Sequence, residues 1–561
     1  MNLTAQEIES LRLNHNTTIL DMSAPDFLEQ ACSDMRIGPC DQLKKIIDFA
    51  RKDLGALTAV VEREYVDADF LYDYSEFYCR AFSPPRSKCG RLHLFSCAGI
   101  GREHLLSLAG FQGRYLGYIV VRPTGSTAVG RTCLKYRPMI SDQEYLLCEH
   151  AFPVHINGSS LTVRAFPFIT QDTNTFVCAG AAMWVQAYYM HERFHFPRFY
   201  PAQITREAMR YSVAGNVRAG LNFAQMSTAL RDMGYNPHVH IYLLDSLSPE
   251  EKERTLRRAV LTGHATVESR LPCIFGIEFR DPSSTTLSSG HAITAIGHSF
   301  ERPDASRVSR FLAPGPPDDA FSGALFNGDW VSWFVIHDDQ DVPYGRLWTW
   351  DKPPEAPERQ YCLARDICRL VILIPMPREV ALEFHHAVMW ARKAFSWWNY
   401  CVEQVMLHQA TFCVDWPGYG EVSDEWRIAQ DDDVVWRVYL EPSEDYKARA
   451  MSTTMHEDFK KALQAMTFPR YVWVAEMASR SRLNAPEEVN RTVKGEVVID
   501  ATSNPSVTFP PILAFQYKGR FACCPSQLFA PMMLYRKGDP EEYSPGQRGT
   551  TTAPGCSPCP V

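Results

Sequence analysis

One short stretch of the sequence combines two patterns that are typical of proteases. Residues 175–195 read TFVCAGAAMWVQAYYMHERFH. Cys178 precedes a run of small and apolar residues, while His191 and His195 complete the pattern H-E-x-x-H. The first pattern predicts a nucleophilic thiol at the start of a helix, and the second predicts a zinc ion held by two imidazoles one helical turn apart. The two patterns exclude each other as the chemistry of one site.

The zinc interpretation lacks a third ligand. After His195 the chain continues FPRFYP, which contains neither the glycine nor the third histidine of the extended zinc motif. The next acidic residue, Glu207, lies 12 positions beyond His195 in a separate predicted helix. We therefore predict that this segment binds no metal, and the sequence indicates no other cofactor.

The cysteine interpretation is favoured because suitable partners accompany Cys178 in the sequence. A helix N-terminus and a nearby imidazolium both stabilise a thiolate. His291 begins a predicted strand after SSG and could act as base and acid, and Asp338 and Asp339 end the strand WVSWFVIHDD, where a carboxylate could orient the imidazole. Gln171, seven residues before the cysteine, could donate its side-chain amide to an oxyanion.

The strand pattern does not choose between the two adjacent carboxylates. Successive side chains of a strand point to opposite faces, so Asp338 and Asp339 cannot both face His291 while the strand stays regular. Apolar residues accompany each of them, so both faces look buried. Asp339 would more naturally cap the following turn DQDVPYG.

The predicted elements around these residues form an α+β pattern. A helix of about 18 residues starts at Cys178 and ends before Pro197. Ser248, Pro249 and Glu251 form a predicted capping box at the start of another helix. The segments LPCIFGIEF, GHAITAIGHSF and WVSWFVIHDD predict strands. Between the last two, the segment ERPDASRVSRFLAPGPPDDAFSGALFNGD predicts a long surface loop, which is often a lid or a binding loop.

The whole chain divides into four predicted parts. An N-terminal α+β region spans residues 1–155, and the predicted nucleophile Cys178 belongs to a catalytic domain at residues 156–350. A C-terminal α+β region spans residues 351–545, with a strand at CRLVILIP followed by a long aromatic-rich helix. Residues 546–561 are rich in Pro, Gly, Ser and Thr, which predicts a disordered tail.

Composition narrows the class of protein. The 561 residues carry a net charge of -8 and contain no Lys/Arg-rich block, which argues against nucleic acid as a partner. The N-terminal sequence does not resemble a secretion signal, and the longest apolar run is too short to cross a membrane. Seventeen cysteines are then most simply reduced thiols in the cytoplasm.

Five segments together resemble a known family. QDTNTFVCAGAAMWVQAYY, GLNFAQMSTALRDMGY, LPCIFGIEF, GHAITAIGH and FVIHDDQDVPYG are similar to successive blocks of bacterial papain-like cysteine peptidases of the C39-like group. The resemblance covers roughly residues 165–350 and implies a papain-like fold for the domain at residues 156–350, with Cys178 as nucleophile, His291 as base, Asp338 as orienting residue and Gln171 as oxyanion donor. Cys-Ala-Gly replaces the usual Cys-Gly-Pro, glutamine lies one residue further from cysteine than is common, and the loop between His and Asp is longer.

The resemblance implies a cytoplasmic, bacterial cysteine peptidase that hydrolyses a peptide or isopeptide bond in a protein or peptide substrate. Its flanking regions would select or restrain that substrate. One alternative is an acyltransferase or amidase that uses the same triad, with an amine in place of water. A second alternative is an inactive papain-like protein that binds a partner.

Overall fold

The structure is a computed structural model that describes most of the chain. The described residues are 16–38, 40–125, 129–138, 144–172, 177–210, 220–280, 287–316, 319–357, 360–412, 427–428, 434–455, 457–480, 493–504, 511–518, 520–523 and 532–535. The predicted disordered tail at 546–561 lies outside the described residues.

The chain forms two compact units, and each is built from more than one segment. The first unit comprises Met1–Ala259, Arg270–Phe300 and Ser332–Met376. The second unit comprises Val260–Ser269, Glu301–Val331 and Pro377–Val561. The regions predicted from the sequence at residues 1–155, 156–350 and 351–545 remain predictions. The two units reflect how densely the chain packs and do not assign a function to any region.

A five-stranded antiparallel sheet and a hairpin occupy the first part of the first unit. The sheet has the order β1-β2-β3-β4-β5, and β7 pairs with β8 across an Asn157-Gly158 turn in which both residues have positive φ. The elements are β1 (Thr17–Asp21), α1 (Phe27–Met35), α2 (Asp41–Lys52), β2 (Thr58–Tyr65), α3 (Ala68–Glu76), β3 (Cys89–Phe95), β4 (Tyr115–Val121), β5 (Val129–Leu134), β6 (Glu144–Leu146), β7 (His150–Ile156) and β8 (Ser159–Ala165).

Residues 178–377 form a second sheet and several helices, two of which have 17 and 20 residues. They form α4 (Cys178–Phe194), α5 (Pro201–Met209), α6 (Phe223–Asp232), β9 (Tyr235–Leu243), α7 (Pro249–Glu268), β10 (Cys273–Arg280), β11 (Leu287–Ser299), α8 (Ala305–Leu312), β12 (Leu325–Phe326), β13 (Trp333–His337), β14 (Gly345–Trp348), α9 (Leu363–Asp366) and β15 (Arg369–Pro377). The sheet has the order β14-β13-β11-β10-β15-β9, and β6 also pairs with β11.

Several local predictions are confirmed in this part of the chain. The three predicted strands correspond to β10, β11 and β13. The capping box is present, because the Glu251 carboxylate accepts from the backbone N–H of Ser248 at 3.1 Å and the Ser248 hydroxyl accepts from the N–H of Glu251 at 3.3 Å. The capping box involves residues only three positions apart, so it can be predicted from the local sequence.

The prediction of a long surface loop after β11 is wrong. The segment Glu301–Val331 contains helix α8 and strand β12, and it belongs to the second unit. Strand β12 pairs in parallel with a strand that begins at residue 434, and Arg392 donates to the carbonyls of Ala320 at 2.7 Å and Ser322 at 2.9 Å. These long-range contacts order a segment whose Pro, Gly and Asp content predicts a loop.

The second unit has a seven-stranded sheet with the order β12-β16-β17-β18-β19-β20-β21. The predicted aromatic-rich helix is present as its longest described helix. The remaining elements are α10 (Phe384–Phe412), β16 (Val434–Pro442), α11 (Ser443–Ser452), α12 (Glu457–Ala465), β17 (Tyr471–Ser479), β18 (Val493–Asp500), β19 (Ile512–Tyr517), β20 (Arg520–Cys523) and β21 (Met532–Tyr535).

The fold class is mixed α and β, as the sequence predicts. Antiparallel strand pairs predominate in the sheets, and the helices alternate with groups of strands along the chain. None of the described helices is both long enough and apolar enough to cross a membrane.

Candidate active site

Cys178 is the first residue of helix α4. Val177, which precedes the helix, has an extended backbone and no side-chain cap. The first N–H groups of a helix have no acceptor within the helix, and they carry partial positive charge. The Cys178 thiol therefore lies where a negative charge is stabilised, and it is partly exposed to solvent.

The rest of α4 is firmly embedded in the first unit. Every residue from Ala179 to Met190 is buried, so this helix lies within the core rather than on it. The Gln186 side chain donates to the Pro272 carbonyl at 2.6 Å, just before β10, and Thr294 of β11 donates to the Ala182 carbonyl at 3.5 Å. These contacts fix the helix against the strands that carry the other site residues.

His291 lies on β11, opposite Ile277 of β10. Strand β11 also pairs antiparallel with β13, with Thr294 opposite His337. This register brings the residue after His337 close to the start of β11. His291 is buried, and its neighbour Gly290 is exposed, so the imidazole lies just beneath the surface.

The imidazole of His291 connects the two groups that the sequence predicts as its partners. Its Nε2 donates to Oδ1 of Asp338 at 2.8 Å, and a second side-chain hydrogen bond joins it to Cys178. Because Nε2 is engaged with Asp338, Nδ1 is the ring nitrogen available to the thiol. Burial disfavours the imidazolium, but these two hydrogen bonds and the charges of Asp338 and Asp339 outweigh it and raise the pKa of His291 to about 11.

The carboxylate of Asp338 is held by a second hydrogen bond. Its Oδ1 also accepts from the backbone N–H of Gln340 at 2.9 Å. The turn cap that the sequence assigns to Asp339 is therefore made by Asp338, and that assignment is wrong. Asp338 both closes the turn and orients the imidazole.

Asp339 also approaches the imidazole, which the alternation argument does not anticipate. Strand β13 ends at His337, so the two carboxylates lie beyond the regular strand and need not point to opposite faces. Oδ1 of Asp339 lies 3.9 Å from Nε2 of His291, and neither of its oxygens has a hydrogen bond of standard geometry among the described residues. Burial raises the pKa of Asp339 to about 7, against the charge of His291 and the N–H groups of Asp339 and Gln171, which lower it.

Gln171 lies beside this cluster in a half-buried position. Its backbone N–H is directed at the carboxylate of Asp339. Within the described residues its side-chain amide makes no hydrogen bond. Residues 173–176, between Gln171 and the helix of Cys178, lie outside the described residues.

The H-E-x-x-H segment does not have zinc-binding geometry. Helix α4 ends at Phe194, and His195 follows it with a left-handed backbone at φ 60°. Nδ1 of His191 donates to the Phe196 carbonyl at 2.6 Å, which closes the helix end. Because the second histidine is off the helix, the two imidazoles do not share one face.

Among the described residues, two groups of side chains within single units bring three metal-ligand atoms within 4.8 Å of one another. One is His291 with Asp338 and Asp339, where the 2.8 Å hydrogen bond already joins imidazole and carboxylate directly. The other is Glu383, His385 and His386 at the start of α10, where all three side chains are partly exposed.

Sequence reasoning missed the polar contacts that hold the segment before the helix. Asp172 is fully buried, and it accepts a hydrogen bond from the Tyr78 hydroxyl. Arg122 is also buried and lies 3.9 Å from the same carboxylate. Nothing local in the sequence connects Tyr78, Arg122 and Asp172, which lie far apart along the chain.

The chain matches no protein-family model, and no curated protein matches it significantly. The functional interpretation therefore depends on the geometry. A thiol at a helix N-terminus, an imidazole bonded to it and a carboxylate behind that imidazole can together perform nucleophilic attack and proton transfer on a carbonyl compound.

Proposed function

We propose that the protein is a papain-like cysteine peptidase that hydrolyses a peptide or isopeptide bond. The observation that carries the proposal is the double hydrogen bonding of His291, to Cys178 on one side and to Asp338 on the other. Cys178 and His291 are 113 positions apart in the sequence, and His291 and Asp338 are 47 positions apart. Their residue types and their order along the chain are those that the resemblance to the C39-like group implies.

The first half of the reaction forms a thioester. The Cys178 thiolate attacks the carbonyl carbon, and the π electrons move to the carbonyl oxygen. The Gln171 amide and the free N–H groups of the first turn of α4 would stabilise that oxyanion. The C–N bond then breaks, and the departing amine takes a proton from the His291 imidazolium.

The second half releases the acid and restores the enzyme. Neutral His291 removes a proton from water as the water oxygen attacks the thioester carbon. Collapse of this intermediate breaks the C–S bond and expels the thiolate, which again pairs with the imidazolium. Asp338 keeps Nε2 protonated and Nδ1 directed to the thiol throughout.

An electrophilic peptide probe tests the proposal. We expect a peptidyl vinyl sulfone to modify Cys178 stoichiometrically, with the adduct mapped by mass spectrometry, and His291→Ala to abolish labelling. Cys79→Ser, which removes an exposed thiol, is the matched control and should label like the wild type. Failure of the folded protein to label would instead favour an inactive interaction protein.

Added amine distinguishes hydrolysis from acyl transfer. With an acylated Cys178, a peptidase should release mainly the free acid when a simple amine such as glycinamide is present. Dominant amide formation at low amine concentration would identify an acyltransferase that uses the same residues.

A further inference from the structure

The segment that carries Gln171 is held as an added strand along the N-terminal sheet. Phe168 and Thr132 of β5 exchange two backbone hydrogen bonds of 2.8 Å each. Further along, Thr170 donates to the Val129 carbonyl from both its N–H, at 3.3 Å, and its hydroxyl, at 2.8 Å. The main chain approaching Gln171 is therefore fixed by β5.

Two side chains from the N-terminal region hold the residues on either side of Gln171. Arg122, just after β4, donates to the Thr170 carbonyl at 3.2 Å and lies 3.9 Å from the Asp172 carboxylate. Tyr78, just after α3, donates its hydroxyl to the same carboxylate. The side chains of Arg122 and Asp172 are both buried, at 2% and 1% exposed, so each requires polar or charged neighbours in this region.

Gln171 lies between two residues that face Arg122. The Thr170 hydroxyl is 3.4 Å from the Arg122 guanidinium, and the Asp172 carboxylate is 3.9 Å from it. The backbone N–H of Gln171 is directed at the Asp339 carboxylate, so the same residue lies beside the candidate site. Contacts to both neighbours therefore limit how the main chain at Gln171 can turn.

The N-terminal region also holds the turn that follows the two carboxylates. From helix α2, Gln42 donates its side-chain amide to the Asp341 carbonyl, and Lys45 donates to the Gln340 carbonyl at 3.1 Å. The segment around Gln171 and the turn after Asp339 are thus both attached to elements of the N-terminal region.

We propose that Tyr78 and Arg122 are positioning residues, which act through Asp172 to direct the Gln171 amide at the carbonyl oxygen of a substrate. The inference rests on the proposed function. The N-terminal region would then help to position a catalytic residue, besides selecting or restraining the substrate. Because the thiolate depends on His291 and the helix, loss of this contact should weaken oxyanion stabilisation and leave the nucleophile intact.

Two reagents separate these effects on the full-length protein. Iodoacetamide alkylates a thiolate by displacement and forms no oxyanion, whereas p-nitrophenyl acetate acylates it through a tetrahedral oxyanion. We expect Tyr78→Phe to slow acylation of Cys178 at least about tenfold, in line with the loss of part of an oxyanion donor, and to leave alkylation within about twofold of wild type. Gln171→Ala should show the same pattern, and a Cys178→Ala protein gives the background rate.

Tyr115→Phe is the matched control. It removes another buried hydroxyl from the N-terminal region, one that is bonded to His93 at 2.9 Å, and it should leave both rates unchanged. Wild-type acylation by Tyr78→Phe, or an equal loss of both reactions, would overturn the positioning role. Absence of both reactions at Cys178 in the wild type would instead refute the proposed function.

Discussion

Nε2 of His291 donates to Oδ1 of Asp338 across 2.8 Å, and this oxygen also accepts from the backbone of the next turn. The bond therefore joins a strand residue to a turn whose shape depends on the same carboxylate. An imidazole held in this way keeps one tautomer and one orientation, which is what a base beside a thiol requires.

The two adjacent carboxylates should contribute unequally to catalysis. We expect Asp338→Ala to reduce turnover of p-nitrophenyl acetate at least tenfold more than Asp339→Ala, because only Asp338 hydrogen-bonds the imidazole. Circular dichroism checks that both variants are folded. Equal losses, or a larger loss for Asp339→Ala, would transfer the orienting role to the neighbouring carboxylate.

Cys178 should be the most reactive of the seventeen thiols in the folded protein. Brief iodoacetamide treatment near pH 6, where ordinary thiols are protonated, should alkylate it first. Buried thiols cannot compete, since burial raises the pKa of Cys133 to about 12. Peptide mapping measures the order of labelling, and uniform labelling or labelling led by Cys556 and Cys559 would argue against the site.

The His291 imidazolium should persist well above neutral pH. The raised pKa of His291 means that the imidazolium contributes its full stabilisation below about pH 6.5 and loses it only as the pH rises towards about 11. We therefore expect the ring protons of His291, followed by NMR, to show no titration between about pH 6.5 and 9, where an ordinary imidazole has already lost its proton.

Removing the carboxylate behind the imidazole should change this titration. In Asp338→Asn the strongest contact that raises the pKa of His291 is weakened, so the imidazolium is lost at a lower pH. The NMR titration midpoint of His291 should move to lower pH by at least about one unit. An unchanged midpoint in Asp338→Asn would show that Asp338 does not stabilise the imidazolium.

Asp339 should reduce the stability of the folded protein at neutral and higher pH. Its folded-state pKa is raised from 3.8 to about 7, so the folded protein binds this proton more tightly and stability falls as the pH rises through that window. We expect Asp339→Asn to raise the melting temperature more at pH 8 than at pH 5. Each kcal/mol gained in the free energy of unfolding corresponds to a rise of about 2 to 4 °C. Equal shifts at both pH values would contradict this, and Asp338→Asn, which weakens a hydrogen bond, should lower the melting temperature.

The purified protein should contain no stoichiometric zinc bound by the H-E-x-x-H segment. His195 lies beyond the helix end with a left-handed backbone, so the two imidazoles do not lie one turn apart on one helix, and the segment supplies no third ligand. Elemental analysis of the wild type and of a His191→Ala, His195→Ala double variant should give the same zinc content. Zinc that is lost on replacing Cys178 with serine would point to the cluster around His291 instead.

Local patterns predicted the elements of the site well. The helix that starts at Cys178, the strand of His291 and the strand just before Asp338 follow from apolar runs and helix-start signals that act over a few residues. Their order along the chain, together with the resemblance to the C39-like group, also predicted that Cys178, His291 and Asp338 meet.

Contacts between distant segments were not predictable in the same way. The segment Glu301–Val331 is ordered by β16 and by Arg392, both more than 60 residues from its end, so its composition alone predicts a loop. Likewise, Arg122 and Asp172 compensate each other only after the N-terminal sheet has formed. Strand alternation failed at Asp339 because β13 ends at His337, a limit that no residue type in WVSWFVIHDD indicates.

The division of the chain at Phe300 and Ser332 affects how the protein is made. A ribosome completes the segment Glu301–Val331 before the strand that pairs with β12 has been synthesised, and residues 332–442 take on the order of 10 s to follow. During that interval the apolar side chains of Phe311, Phe321 and Phe326 have no completed second sheet to cover them. A shortened gene that stops near residue 376 would leave them permanently uncovered, so expression of the first unit alone requires a short polar linker in place of residues 301–331.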